Sequence, residues 1–194
     1  RDLVQAIIVP PTVQLYLDDV LVQSRDAVRQ FDAQLPTVIA DEEGVLRTTA
    51  RKAPVRLYKP TEGETASIYE MGIPVVELTG GDAWHIDVGQ KVPLSFDRDN
   101  VTPRYLERLR AAVLNATHDL LDEASAGESW VANARGAPEV SAKAYVRSLA
   151  TQHGDDAVMF DPSDLEGTKI SMAQGRRVIY GNQLTPNERA NRKS

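Results

Sequence analysis

The chain has 194 residues, no cysteine, 42% hydrophobic and 26% charged residues, and a formal net charge of -6. That length suits one sizeable domain or two small ones, and the lack of cysteine excludes disulfides, thiolate metal sites and cysteine nucleophiles while suiting a reducing, cytoplasmic setting. The acidic balance argues against broad nucleic-acid binding, and no apolar run approaches the roughly 20 residues of a membrane-spanning helix.

The opening RDLVQAIIVPP carries neither an initiator Met nor a signal-peptide core and reads as the interior of a strand, so the expectation is a longer protein with more chain upstream. LVQAIIV, TVQLYLDD and PTVIAD are rich in β-branched and aromatic residues, and DEEG before VLRTTA is a hairpin loop. PVRLYK follows; EGE separates it from ASIYEMGIPVVEL, and TGGD leads into WHIDV. Strands joined by such short turns predict a mostly antiparallel sheet. SRDAVRQFDAQL fits two readings, since Val28, Phe31 and Leu35 suit either a short helix or an extended edge.

From Pro103 the period changes. Leu106, Leu109, Val113, Ala116 and Leu120 fall on one face of a helix that Thr102 caps, Pro103 starts and Glu123 ends. EASAGES, with Gly127 as a breaker, marks a boundary between a domain over 1–124 and a module over 125–194. In that module SAKAYVRSLATQHG is a helix stopped by Gly154, and DAVMFD, PSDLEGTKISMAQG and RRVIYG form a βαβ unit with parallel strands. Asp161 is the expected cap of its helix and Pro162 the first helical residue; Thr185 and Glu188 form a capping box for a last helix. The fold class is therefore α+β: a mostly antiparallel sheet with a long packed helix, then a small α/β module.

Three features offer chemistry. The histidines are His85, His118 and His153, of which the last two sit near helix C-termini, where an imidazolium suits the dipole. His85 and Asp87 share a strand face, but two ligands at i and i+2 do not make a metal site. In FDPSDLEG, Asp161, Asp164 and Glu166 lie where a strand hands over to a helix, a place where acids can hold Mg²⁺ against a phosphate in a phosphoryl-transfer or nuclease-like module. The same acids equally suit the positive end of a helix. Arg176, Arg177, Arg189, Arg192 and Lys193 outweigh the single acid Glu188 near the C-terminus, in the manner of a solvated tail. No nucleophile elbow, His-Glu-x-x-His or Walker A pattern is present.

The third feature is VGQKVPL, where Gly89 frees the backbone at a strand end, Gln90 offers an amide and Lys91 an ammonium suited to a phosphate. An antiparallel sheet, a last strand ending in IDVGQKVPL and then a long amphipathic helix resemble the transducer domain of GHKL-type ATPases, the group of MutL, the gyrase B subunit and rIIA-like ATP-binding proteins. YEMGIPVVEL resembles the strand preceding that loop. The spacing differs from the gyrase-type Gln-Thr-Lys and the MutL-type His-Pro-x-Lys. The resemblance covers about residues 1–124 and implies an S5 domain 2-like fold, with Lys91 reaching the γ-phosphate of ATP, Gln90 assisting and Arg98 as a second phosphate or salt-bridge residue. It further implies ATP with Mg²⁺ bound in an upstream nucleotide-binding domain, whose motifs this chain lacks, so that this chain alone does not hydrolyse ATP. A homodimer is the implied assembly, and nucleic acid stays open as a partner. A non-catalytic structural or oligomerisation module is the remaining alternative.

Overall fold

The computed structural model describes residues 7–10, 12–95 and 100–191. Two compact units divide the chain, Arg1–Leu106 and Glu107–Ser194. The long helix is cut by this division: from Glu107 onward it belongs with the second unit, whereas the sequence reading put all of it with the sheet.

TVQLYLDD is not one strand. It turns at Asp18 and Asp19, both with positive φ (49° and 64°), so that β1 (Leu15–Leu17) pairs with β2 (Val20–Val22) through a two-residue hairpin. The main sheet has the order β3-β4-β7-β5-β6. From Arg29 onward SRDAVRQFDAQL is strand, for Ala33, Leu35 and Thr37 are buried at alternate positions of β3 (Arg29–Ala40). β4 (Leu46–Tyr58) returns antiparallel, from Leu46 opposite Ala40 to Leu57 opposite Arg29. Asp41 closes this hairpin as DEEG predicts, its Oδ1 accepting from the N–H groups of Glu43 (3.1 Å) and Val45 (2.8 Å).

ASIYEMGIPVVEL also proves to be a hairpin, β5 (Ser67–Glu70) and β6 (Ile73–Glu77), reversing at Met71 and Gly72 with φ of 50° and 86°. Gly72 is needed twice over: its backbone is left-handed, and a Cβ there would stand 2.5 Å from the Ile8 carbonyl oxygen. β7 (His85–Val88) then enters between earlier strands, antiparallel to β4 and parallel to β5. One face of the sheet is aliphatic, with Val55, Leu57, Ile68, Ile86 and Val88 all buried. The other carries Tyr58, Tyr69, His85 and Asp87, and Ile8 packs on the two tyrosines.

Helix α1 (Pro103–Thr117) starts as expected, Thr102 Oγ1 accepting from the Tyr105 N–H at 3.3 Å. It ends at Thr117, short of Glu123, and Leu120 is exposed. The reason is local: Asp122 and Ser125 build a reciprocal capping box that starts a separate short helix, α2 (Glu123–Ala126). α3 (Ser129–Gly136), which the sequence reading left unassigned, buries Trp130, Val131, Ala134 and Arg135. α4 (Ala142–His153) runs from its Ser141 cap to Gly154. β8 (Val158–Met159) and β9 (Val178–Ile179) are parallel and joined by α5 (Leu165–Ala173), which is the expected βαβ unit with strands of minimal length.

Asp164, not Asp161, caps α5, its side chain accepting from the Gly167 N–H at 2.8 Å. α6 (Pro186–Asn191) carries the predicted capping box, with Thr185 N–H donating to Glu188 Oε2 (2.7 Å) and Glu188 N–H to Thr185 Oγ1 (3.2 Å). Its other carboxylate oxygen accepts from Arg135 Nε at 2.6 Å, with both side chains almost fully buried. Tyr145, Leu149, Ile179 and Leu184 form an apolar core of this unit.

Candidate functional site

The loop after β7 is fastened on several sides. Gly89 N–H donates to the Pro54 carbonyl at 2.8 Å, and a Cβ on Gly89 would lie 2.6 Å from Pro54 Cγ, so glycine is what lets the loop pass β4 this closely. Gln90 Nε2 reaches β3, donating to the carbonyls of Leu35 (3.1 Å) and Pro36 (3.4 Å). Thr37 Oγ1, on the same strand and buried, donates to the Lys91 carbonyl at 2.8 Å. Val92 N–H donates to Glu70 Oε2 on β5 at 2.7 Å, and the Val92 side chain is buried.

The main chain on either side of Lys91 is thus tied to β3, β4 and β5, while its side chain is exposed. No described residue pairs with its ammonium. A fixed backbone presenting one unpaired cation can meet an oxyanion with little reorganisation, which is the arrangement that makes a charge effective. Gln90 does different work from that expected of it: its amide donors are spent on the sheet's carbonyls, so it positions the loop. Arg98 lies outside the described residues, as do Arg192 and Lys193. Thr37 and Glu70 were invisible to sequence reasoning, being 54 and 22 residues from their partners in the loop.

His85 and Asp87 do share a face, but each has its own business. Ser67 N–H donates to His85 Nδ1 at 3.2 Å, which places the ring proton on Nε2, 3.2 Å from Glu64 Oε2. Glu64 is gripped in turn by both terminal nitrogens of Arg25, one at 2.7 Å, and by the Thr61 N–H at 2.8 Å. The Arg25 guanidinium holds the Glu64 carboxyl well below the ordinary carboxylate range, and burial pushes the His85 imidazole toward its neutral form. Asp87 accepts from the Gly72 N–H at 2.8 Å and faces Arg56 Nη1 at 3.5 Å, while burial raises its pKa. With both ring nitrogens engaged and every carboxylate paired, this cluster is a brace for the sheet.

The acids of FDPSDLEG are likewise occupied locally. Asp161 Oδ1 accepts from the Ser163 N–H (2.9 Å) and Ser163 Oγ (2.6 Å), Asp164 caps α5, and Glu166 lies in its first turn. Among the described residues no group of three or more His, Asp or Glu is placed to hold a metal ion. His118 Nδ1 lies 3.1 Å from the Asn115 carbonyl. At His153, burial together with Arg177 and Arg135 lowers the pKa, so the charged form expected at that helix end is disfavoured.

No helix among the described residues is long and apolar enough to cross a membrane. Against protein-family models, curated proteins and solved structures, the chain finds no match.

Proposed function

We propose that this chain is the transducer portion of a GHKL-type ATP-binding protein and that Lys91 meets the terminal phosphate of ATP held in an upstream nucleotide-binding domain. The observation that carries the reading is the Lys91 loop: an exposed ammonium without a partner among the described residues, on a backbone anchored to β3, β4 and β5. The resemblance of IDVGQKVPL to the lysine loop of that family supplies the ligand. Lys91 stabilises phosphate charge, and Gln90, Thr37 and Glu70 act through Lys91 by fixing its backbone. Because the loop is tied to three strands, a pull on the ammonium moves the sheet, and the helix that begins at Pro103 carries the movement onward.

Of the chain's own groups, Lys91 suits a phosphate, whereas the described acids offer no Mg²⁺ site. Bound with its metal in the upstream domain, ATP would supply the phosphoryl chemistry. Binding and orienting the outermost phosphate is what this chain contributes, in a cytoplasmic protein.

The test is equilibrium binding of a non-hydrolysable ATP analogue, and ATP turnover, by the full-length protein with and without Lys91→Ala. Weaker binding or slower turnover is expected; unchanged values for both would remove the role of Lys91. A protein whose upstream 250 or so residues, about the span of one or two domains, hold no Glu/Asn helix and no Asp-x-Gly-x-Gly would refute the ATPase reading altogether. The structural-module alternative would then stand.

A further inference from the structure

α5 is turned inside out for a crossover helix. Such a helix normally lays an apolar stripe on the strands it joins, but β8 and β9 have two residues each and offer little to cover. No residue of α5 is buried. Its half-buried positions are Gly167, Thr168 and Ser171, which three- and four-residue spacings put on one side, whereas Leu165, Ile170 and Met172 are 56%, 52% and 52% exposed. Leu165 and Met172, seven residues apart, stand on one line along the helix, and Ile170 flanks the other margin of the same outer face. Large apolar side chains turned outward over small, mostly polar ones mark a contact surface.

The charges select what covers it. Glu166 lies in the first turn of α5. Arg176 lies just past its end, where its N–H donates to the Ser171 carbonyl at 3.0 Å and so holds it against the last turn. Both are exposed, and neither side chain has a partner among the described residues. A second copy laid antiparallel along α5 sets Leu165 of each copy against Met172 of the other, and brings Glu166 of each toward Arg176 of the other. One two-fold axis thus matches the apolar line and the charges together. Parallel copies would set like charges side by side. A lipid surface suits the face less, because the exposed Glu166 and Lys169 lie between its apolar margins.

We propose that α5 is a self-association surface at which two copies of this chain pair antiparallel about a two-fold axis. The surface lies wholly in the second unit, outside the residues that resemble the transducer domain, and stands whether or not Lys91 meets a phosphate. A helix of 9 residues is about 14 Å long, so the contact falls below about 1,200 Å², in the range of weak and transient association. The expected dissociation constant is on the order of 10–100 µM.

The experiment is sedimentation equilibrium of the full-length protein and its variants without nucleotide. The wild type should pass from monomer to dimer as its concentration rises through that range, and less readily at high salt. The double variant Leu165→Gln/Met172→Gln should dimerise at least about tenfold more weakly, with the melting temperature of the dilute protein unchanged because both side chains are already exposed. Glu166→Lys and Arg176→Glu should each weaken dimerisation about fivefold by bringing like charges together. An equimolar mixture of those two variants should restore it, since the mixed dimer has opposite charges at both ends. A wild type still monomeric at about 1 mM, a double variant that dimerises as the wild type does, or a mixture no better than its separate components would each overturn the proposal. If the wild-type monomer instead binds phosphatidylcholine–phosphatidylglycerol vesicles and the double variant does not, the face meets lipid and the second copy is wrong.

Discussion

Thr37→Val tests whether the anchoring of the Lys91 loop matters to what Lys91 does. The side chain is 2% exposed, and its hydroxyl donates to the Lys91 carbonyl at 2.8 Å, so valine keeps the shape and removes only the bond. One neutral intramolecular hydrogen bond is worth about 1 kcal/mol net. In a unit of about 100 residues that lowers the melting temperature by roughly 4–8 °C. Should ATP-analogue binding require the anchored loop, the same 1 kcal/mol weakens affinity by up to about fivefold. Calorimetric or fluorescence-detected melting reads the first effect, and titration of the full-length protein the second. The decisive measurement is the double variant: if Thr37 acts through Lys91, its effect on affinity disappears in the Lys91→Ala background. Melting that falls while affinity holds would show that loop rigidity plays no part in binding; equal effects of Thr37→Val with and without Lys91 would show that Thr37 acts elsewhere.

Other outcomes follow from the geometry. His85 is depressed by burial and Glu64 is depressed by Arg25. A group with a lowered folded-state pKa gives stability above its unfolded value and loses it as pH falls toward the folded one. Melting temperature should therefore drop between about pH 7 and 5.5 through His85, then further below roughly pH 4.5 as Glu64 titrates. Asp87, raised by burial, works in the opposite sense at the acid end, and His153 adds a second contribution of the His85 sign in the other unit. His85→Gln and His153→Gln should each flatten the slope between pH 7 and 5.5, and a slope unchanged in the double variant would refute the assignment. Gly89→Ala places a methyl 2.6 Å from Pro54 Cγ and should cost about 1–3 kcal/mol by urea unfolding, together with displacement of Lys91 and weaker analogue binding. Arg135→Met strands the Glu188 carboxylate at 2% exposure and should cost about 3–5 kcal/mol; a loss below about 1 kcal/mol would mean that the pair is wet. Asp164→Ala removes the cap of α5 for about 1 kcal/mol, and Mg²⁺ should not raise the melting temperature; a rise abolished by Asp161→Ala would restore the metal-site alternative.

What could be read from sequence was what neighbouring residues decide. Asp41 and Gly44 close a turn by themselves, Thr185 and Glu188 cap a helix by themselves, and alternation of helix with strand implies parallel β8 and β9. Where two local signals competed, the reading went astray. Leu120 continued the apolar period of α1, but the Asp122 capping box ended the helical run first. Asp161 before Pro162 has the form of a helix start and reads as the cap, but it is Asp164 that accepts from the Gly167 N–H. Met71-Gly72 lacks the Asn-Gly or Asp-Gly that marks most tight hairpins, so nothing local split ASIYEMGIPVVEL into two strands. At the site, Gly89, Gln90 and Lys91 stood out as a polar strand end. Thr37, Pro54 and Glu70 could not, because only the sheet order brings β3, β4 and β5 to the loop.

That sheet order also explains how a strand as short as β7 can hold a rigid loop. Four residues make few ladder bonds, yet His85–Val88 is flanked by β4 on one side and β5 on the other. Two of its side chains add bonds that a ladder does not have: His85 Nδ1 accepts from the Ser67 N–H at the start of β5, and Asp87 accepts from the Gly72 N–H in the turn at its end. β5 is thereby clamped to β7 at both ends, and it is β5 that supplies Glu70 to the Val92 N–H beyond Lys91. The polar face thus sets the register of the strand from which the lysine loop departs. Protonating His85 turns Nδ1 from acceptor to donor and sets it against the Ser67 N–H, which releases one end of that clamp. The proposed phosphate contact by Lys91 should accordingly weaken only once pH falls below the His85 pKa, which burial has lowered from the ordinary imidazole value of about 6.5. Analogue affinity that stays level through the pH range in which His85 protonates in the wild type, or that falls equally in His85→Gln, would break the link between brace and loop.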